Sequence, residues 1–262
     1  MNGEGKEYND YGKLIYEGEF LKGKRHGKGK EYNPDDHLWF KGEYINGERN
    51  GKGKEYHTHY DYKRIIHELI YEGEYLNGKR HGKGKEYDLN CQNLIFEGEY
   101  LYGKRYNGTL FEYYRDYTKI KFVGEYINGE MKKGKEYDRD GEGHIRFEGE
   151  YLNGKKWNVK FYDFLGKIES EIKLGKGRGK EYNDLNSLIY DGEYLEGEKN
   201  GKGKEYDYKG NLKYEGEYLK GKRNGKGREY NYRGYYEVEY LNGKKIEKEK
   251  QKQNNNNSQK LK

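Results

Sequence analysis

Alanine is absent from the 262 residues, and the chain holds only one Pro, one Cys, two Met, three Ser and three Thr. Without Ala and with so little Met, it lacks the residues that favour helices, and an all-α fold is excluded. The lone Cys91 rules out an intramolecular disulfide framework and a multi-cysteine zinc site, and it suits a reducing compartment. Apolar runs stop at three residues, as in Leu94-Ile95-Phe96, so neither a transmembrane helix nor a signal-peptide core is expected. Asn2 and the terminal Gln-Lys-Leu-Lys match no myristoyl or prenyl signal. The expectation is a cytoplasmic protein, peripheral at most to a membrane or the cytoskeleton.

Branched and aromatic core formers are also few, since Leu, Ile, Val and Phe together make only 43 residues. That level points toward disorder, but 33 Tyr point the other way, because each ring buries on the order of 150–250 Å² while its hydroxyl stays wet. Charge is abundant and balanced, with 53 Lys+Arg against 47 Asp+Glu. Much of the excess sits in residues 244–262, which hold seven Lys and two Glu, so the body is close to neutral. A neutral body lacks the concentrated basic face of a duplex binder, and no nucleic-acid partner is expected. The tail, with its run Asn254–Asn257, has no apolar period and is expected to be a disordered basic end.

What the chain does have is a period. The segment Tyr71-Glu-Gly-Glu-Tyr-Leu-Asn-Gly-Lys-Arg-His-Gly-Lys-Gly-Lys-Glu-Tyr87 recurs, its opening aromatic falling at Tyr16, Phe40, Tyr71, Phe96, Phe122, Phe147, Tyr190, Tyr214 and Tyr236. A decayed copy fills the wide gap near 168–182, and an insertion lies near 57–69, where a solvated loop is expected. Ten copies result, preceded by the second half of another at Gly5-Lys-Glu-Tyr8.

Within a copy the side-chain period is two. Leu94, Phe96, Gly98 and Tyr100 share one face of a strand, and Ile95, Glu97 and Glu99 the other. Asn-Gly then marks a two-residue turn in five copies (46–47, 77–78, 128–129, 153–154 and 242–243). The returning strand has Gly at alternate positions, which predicts aromatic rings lying across its backbone. Tyr87 falls three residues from Gly84, so it sits on the opposite face unless a bulge intervenes. The fold class is therefore all-β: an elongated single-sheet ribbon of about ten stacked antiparallel hairpins over 1–243, with 244–262 as tail. A lone hairpin is marginal in water, so each copy leans on its neighbours.

Order, spacing and copy number of this motif resemble the MORN repeat (membrane occupation and recognition nexus). The chain departs from it in ending each copy Lys-Glu-Tyr and at the decayed copy. The resemblance implies an elongated twisted sheet that self-associates or holds a partner segment in an aromatic groove. It also implies membrane-lipid association in some relatives, and no catalytic domain has room beside the repeats.

Candidate chemistry is weak throughout. Glu-Gly-Glu sets carboxylates at a spacing of about 6–7 Å, near that of inverting glycosidases, but it recurs along the array and reads better as Glu facing Lys83 and Lys85 across strands. Gly-Lys-Gly-Lys lacks the Ser/Thr of a phosphate loop, and Ser170, Ser187 and Ser258 have no nucleophile-elbow context. His57, His59 and His67 lack the supporting ligands of a zinc site. No enzyme activity, cofactor, metal or small-molecule substrate is expected. The expected function is a non-catalytic scaffold that binds a protein partner or itself through a Tyr-rich face, left uncovered by a single sheet layer. Its stripe is Tyr75, Tyr100, Tyr126, Tyr151, Tyr194 and Tyr218. The alternative is an adaptor for anionic phospholipids, using the tail and the post-turn pairs Lys24-Arg25, Lys79-Arg80, Lys104-Arg105 and Lys222-Arg223.

Overall fold

The structure is a computed structural model, and it describes residues 2–61, 64–89, 92–139, 143–183, 185 and 187–246. Cys91 and most of the basic tail, 247–262, lie outside the described residues. A leading strand β1 (Gly3–Tyr8) is followed by ten hairpins. The first five are β2 (Leu14–Leu21) with β3 (Lys24–Tyr32), β4 (Leu38–Ile45) with β5 (Glu48–Asp61), β6 (Arg64–Leu76) with β7 (Lys79–Tyr87), β8 (Leu94–Leu101) with β9 (Lys104–Tyr113), and β10 (Ile120–Ile127) with β11 (Glu130–Tyr137). The rest are β12 (Ile145–Leu152) with β13 (Lys155–Tyr162), β14 (Ile168–Lys173) with β15 (Lys176–Tyr182), β16 (Leu188–Leu195) with β17 (Glu198–Tyr206), β18 (Leu212–Leu219) with β19 (Lys222–Asn231), and β20 (Gly234–Leu241) with β21 (Lys244–Lys245).

Each strand pairs antiparallel with its neighbours in sequence, so one open sheet of 21 strands forms, with no helix among the described residues. At ~4.8 Å per strand it extends ~95 Å. The insertion near 57–69 is strand rather than loop: it lengthens β5 and β6 to 14 and 13 residues, which pair out to Asp61 and Arg64. His57, His59 and His67 ride on that extension, where His67 Nδ1 meets Thr58 Oγ1 at 2.9 Å.

Every hairpin turns on two residues of positive φ, the second always Gly, as in Asn77 (49°) and Gly78 (77°). The same left-handed pair forms where no Asn is present, at Lys22, Tyr102, Leu174, Glu196 and Lys220. Turns are tied across copies as well. The Gly78 N–H donates to the Arg49 carbonyl of the preceding hairpin at 2.9 Å, and Gly103 does the same to Arg80 at 2.8 Å.

The core is a single layer of rings lying on glycine. Nine glycines on β1 to β9 stand opposite one another in an unbroken cross-strand row: Gly5, Gly18, Gly29, Gly42, Gly53, Gly73, Gly84, Gly98 and Gly108. A second row of five runs from Gly179 to Gly227 on β15 to β19. The reason for glycine is steric. A methyl on Gly84 would lie 2.6 Å from Cζ of Tyr71 and closer still to its hydroxyl oxygen, so the ring occupies the space a side chain would need. Tyr16 covers Gly29, Phe40 covers Gly53 and Tyr190 covers Gly203 in the same way.

Between the two rows the pattern slips. Gly108 faces Gly98 on one side but Tyr126 on the other, which steps the register at β9, and Val159 and Ile172 take later glycine places. In the decayed hairpin Ser170 occupies the aromatic position, opposite Phe161. The Phe161 ring, from the strand before, reaches over Gly179 in its stead, so the aromatic layer stays continuous.

Candidate interaction surfaces

The two faces of the sheet have different fates. On the aromatic face, first-row rings such as Tyr71 are met edge-on by a tyrosine of the same strand and by one of the next hairpin. Tyr71 lies 5.5 Å from Tyr75 at 89° and 5.1 Å from Tyr100 at 86°. A guanidinium closes the other side: Arg80 sits 4.2 Å over Tyr71, Arg49 4.0 Å over Phe40 and Arg223 4.1 Å over Tyr214. Second-row hydroxyls then donate to glutamates of the preceding hairpin: Tyr44 to Glu31 at 2.8 Å, Tyr75 to Glu55 at 2.8 Å, Tyr194 to Glu181 at 2.7 Å and Tyr218 to Glu205 at 2.8 Å. Burial alone would raise the Glu31 carboxyl, but Arg49 and the Tyr44 hydroxyl bring it below the usual carboxylate range. Burial pushes the Tyr16 hydroxyl up to about 12.

This arrangement changes the expectation of an uncovered aromatic face. Tyr75, Tyr100, Tyr194 and Tyr218 are only 3–4% exposed, and Tyr126 and Tyr151 are partly buried against the same core. Sequence periodicity places all six on one face, but it does not reveal that neighbouring rings and guanidiniums cover them. The post-turn pairs divide. Arg25, Arg80, Arg105 and Arg223 are drawn onto rings at 4.6, 4.2, 5.1 and 4.1 Å, whereas Lys24, Lys79, Lys104 and Lys222 stay exposed at the turn edge.

The opposite face is open. A groove of about 1390 Å³ runs across β1 to β8, floored by the glycine row and walled by two lines of Lys and Glu. Within one wall, carboxylates and ammonium groups neutralise each other from strand to strand, as expected: Lys30 lies 2.8 Å from Glu17, Lys54 2.9 Å from Glu72 and Lys85 3.1 Å from Glu97. The strand-ending tyrosines form a second row on this face, with no bulge on their own strand between the second glycine and the tyrosine, as from Gly84 to Tyr87. The extra residue sits instead on the following strand, between Leu94 and Phe96 in the case of Tyr87. Tyr32 and Tyr87 donate to Glu17 and Glu72 at 2.7 and 2.9 Å. Beyond the register step at β9 a separate groove of about 890 Å³ continues from Thr109 to Leu174. Along the turn edge of the sheet, the aliphatic residue after most second-row rings is exposed, including Leu21, Ile45, Leu101, Ile127, Leu195 and Leu219. The sequence signal for these residues was the recurrent Leu or Ile before the turn.

Among the described residues no three His, Cys, Asp or Glu converge as a metal site, and no helix is long and apolar enough to cross a membrane. The family model for the MORN repeat matches residues 16–37, 40–58, 71–88, 190–212 and 214–234. No curated protein matches the chain significantly. The five matched segments coincide with hairpins in which a cation caps each first-row ring, at 4.0 Å for Lys199 over Tyr190, while the slipped stretch around β9 to β15 lies between them. The chain is an array of MORN repeats.

Proposed function

We propose that this array is a non-catalytic scaffold that holds a protein partner along its grooved face. One observation carries the reading: the tyrosine stripe is consumed inside the sheet, whereas the groove and the aliphatic turn edge stay open. Exposed apolar side chains along the edge of a sheet with a backbone-floored trough suit a polypeptide, which supplies both side chains and length. In this reading the six tyrosines act from behind, fixing the curvature and register of the face that makes contact. The test is affinity capture with the intact chain and with Leu21→Ser/Ile45→Ser, on two strands that the groove crosses, after hydrogen exchange shows that the variant keeps its strands. Loss of the captured partner supports the reading, and undiminished capture counts against it. Sedimentation of the purified chain reveals whether the partner is a second copy.

A membrane reading draws on the exposed Lys24, Lys79, Lys104 and Lys222. With the four arginines held on rings, that row is half as dense in charge as the sequence suggests, and a few lysines bind anionic headgroups only weakly. Co-sedimentation with anionic vesicles at low and high salt, with and without residues 247–262, separates it from protein capture.

A further inference from the structure

In the middle of the groove wall that holds Glu17 and Glu72, the charge is reversed. Glu17 shows what the repeat builds at this position: its carboxylate lies 2.8 Å from Lys30 on the next strand and 3.9 Å from Lys6 on the strand before, and it accepts the Tyr32 hydroxyl at 2.7 Å. Glu72 has the same surroundings, with Lys54 at 2.9 Å and Tyr87 at 2.9 Å, and Glu148 has Lys135 at 3.0 Å and Tyr162 at 2.9 Å. Lys30 and Tyr32 hold Glu17 below the usual carboxylate range, so this is a competent carboxylate receptor, formed by two ammonium groups and a phenol.

In the hairpin of β4 and β5 the carboxylate is missing from that receptor. Its place is taken by Lys41, which stands directly opposite Lys30 on one side and Lys54 on the other. Lys41 is exposed in the groove wall and makes no ion pair or hydrogen bond with any described residue. Tyr56, the counterpart of Tyr32 and Tyr87, lines the groove and has no hydrogen-bond acceptor among them. Lys28 and Lys52 stand on the other wall, where the Glu43 carboxylate is occupied by the Lys52 N–H at 2.9 Å. Like charges facing each other across strands destabilise a sheet. An incoming anion relieves that repulsion and satisfies the phenol.

We propose that Lys41, Lys30, Lys54 and Tyr56 form an anion site that receives an acidic side chain, Asp or Glu, from a polypeptide lying in the groove. The carboxylate is the group the repeat itself seats there. The polypeptide follows from the trough: the site falls midway along eight strands, ~34 Å at the usual spacing, which is the reach of about ten extended residues over a floor without side chains. This rests on the grooved face being the binding face.

The experiment is an NMR titration of the intact protein with a ten-residue Gly/Ser peptide carrying two central Glu, against the same peptide carrying Gln. The expected result is a shift of the Lys30, Lys41, Lys54 and Tyr56 signals with the Glu peptide alone, weakening as salt is raised. Lys41→Glu restores the repeat's own ladder, so it folds, melts higher than the parent and binds the peptide roughly tenfold more weakly or worse. Tyr56→Phe keeps the fold and weakens binding several-fold. Equal binding by Lys41→Glu, or by the Gln peptide, overturns the site. Inorganic phosphate that saturates these signals as readily as the peptide overturns the polypeptide assignment, and so do phosphatidylserine vesicles that bind through Lys41 while the peptide does not. Partner capture that is lost in Leu21→Ser/Ile45→Ser yet unchanged in Lys41→Glu overturns this inference and leaves the scaffold reading standing.

Discussion

The Tyr75 hydroxyl donates at 2.8 Å to Glu55, a carboxylate that belongs to the hairpin before its own. Arg80, on the strand that follows the turn, reaches the same carboxylate while its guanidinium lies 4.2 Å over the Tyr71 ring. One glutamate thus fastens a phenol and a cation of the following copy, and the hairpin is completed only by its neighbour. Glu31, Glu181 and Glu205 repeat the arrangement with Tyr44, Tyr194 and Tyr218.

Tyr75→Phe removes one hydroxyl from a half-buried carboxylate and leaves the ring in place. The expected loss is about 1–2 kcal/mol, read as a lower urea midpoint with an unchanged slope. A double-mutant cycle with Arg80→Met is expected to show coupling, because both groups share Glu55. Independent effects would show that the carboxylate does not join them.

Gly84→Ala is expected to be far worse than an exposed strand substitution. Its methyl meets the Tyr71 ring at 2.6–2.7 Å and the hydroxyl closer still, which forces the ring off the row at a cost of about 2–3 kcal/mol. Hydrogen exchange should show the loss spreading from β6 to β9 while β16 to β19 stay protected, as nearest-neighbour coupling requires. Uniform loss along the chain would mean that the array unfolds as one unit.

Acid should loosen the array. Burial raises the Glu205 and Glu229 carboxyls, but Arg223 at Glu205, and Lys245 with the Tyr236 and Tyr240 hydroxyls at Glu229, bring both below the usual value, Glu229 to about 2. Glu31 behaves likewise. A carboxyl depressed in the folded state stabilises above its unfolded value, about 4.3, and that stability drains away as pH falls through the folded value. Glu136 runs the other way, since burial raises it and protonation relieves it. With the depressed groups in the majority, the urea midpoint should fall between about pH 5 and pH 2. A midpoint that rises over that range contradicts the glutamate links.

Leu174 holds φ near 50° at the turn of the decayed hairpin, a conformation in which Asn serves five other turns. Leu174→Asn should raise the melting temperature, by an amount equivalent to about 1 kcal/mol, with no change in the sheet.

The strands of the repeat, the Asn-Gly turns and the rings over glycine were legible in the sequence, because alternation and Asn-Gly are local signals, whereas the strand extension over 57–69 was not. Neither was the fate of Tyr75 and Tyr100. Periodicity assigns them to one face, but their burial comes from Tyr71, Arg80 and Glu55, groups 4 to 20 positions away from Tyr75 that meet it only in the folded register. The register step at Gly108 was hidden for the same reason, since it depends on which neighbour each side of β9 selects. Lys41 was visible as Lys-Gly-Glu among Glu-Gly-Glu copies, yet only the pairing with Lys30 and Lys54 gives that exchange a physical meaning.

The central claim is that the tyrosine stripe faces inward and leaves the opposite face to bind. Nitration of the native protein by tetranitromethane, mapped by mass spectrometry, tests it most directly. Tyr11, Tyr102, Tyr208 and Tyr232 are exposed and should react, while Tyr71, Tyr75, Tyr100, Tyr194 and Tyr218 should resist until the chain is unfolded. Labelling of the stripe as fast as Tyr11 and Tyr232 in the folded protein would contradict the account.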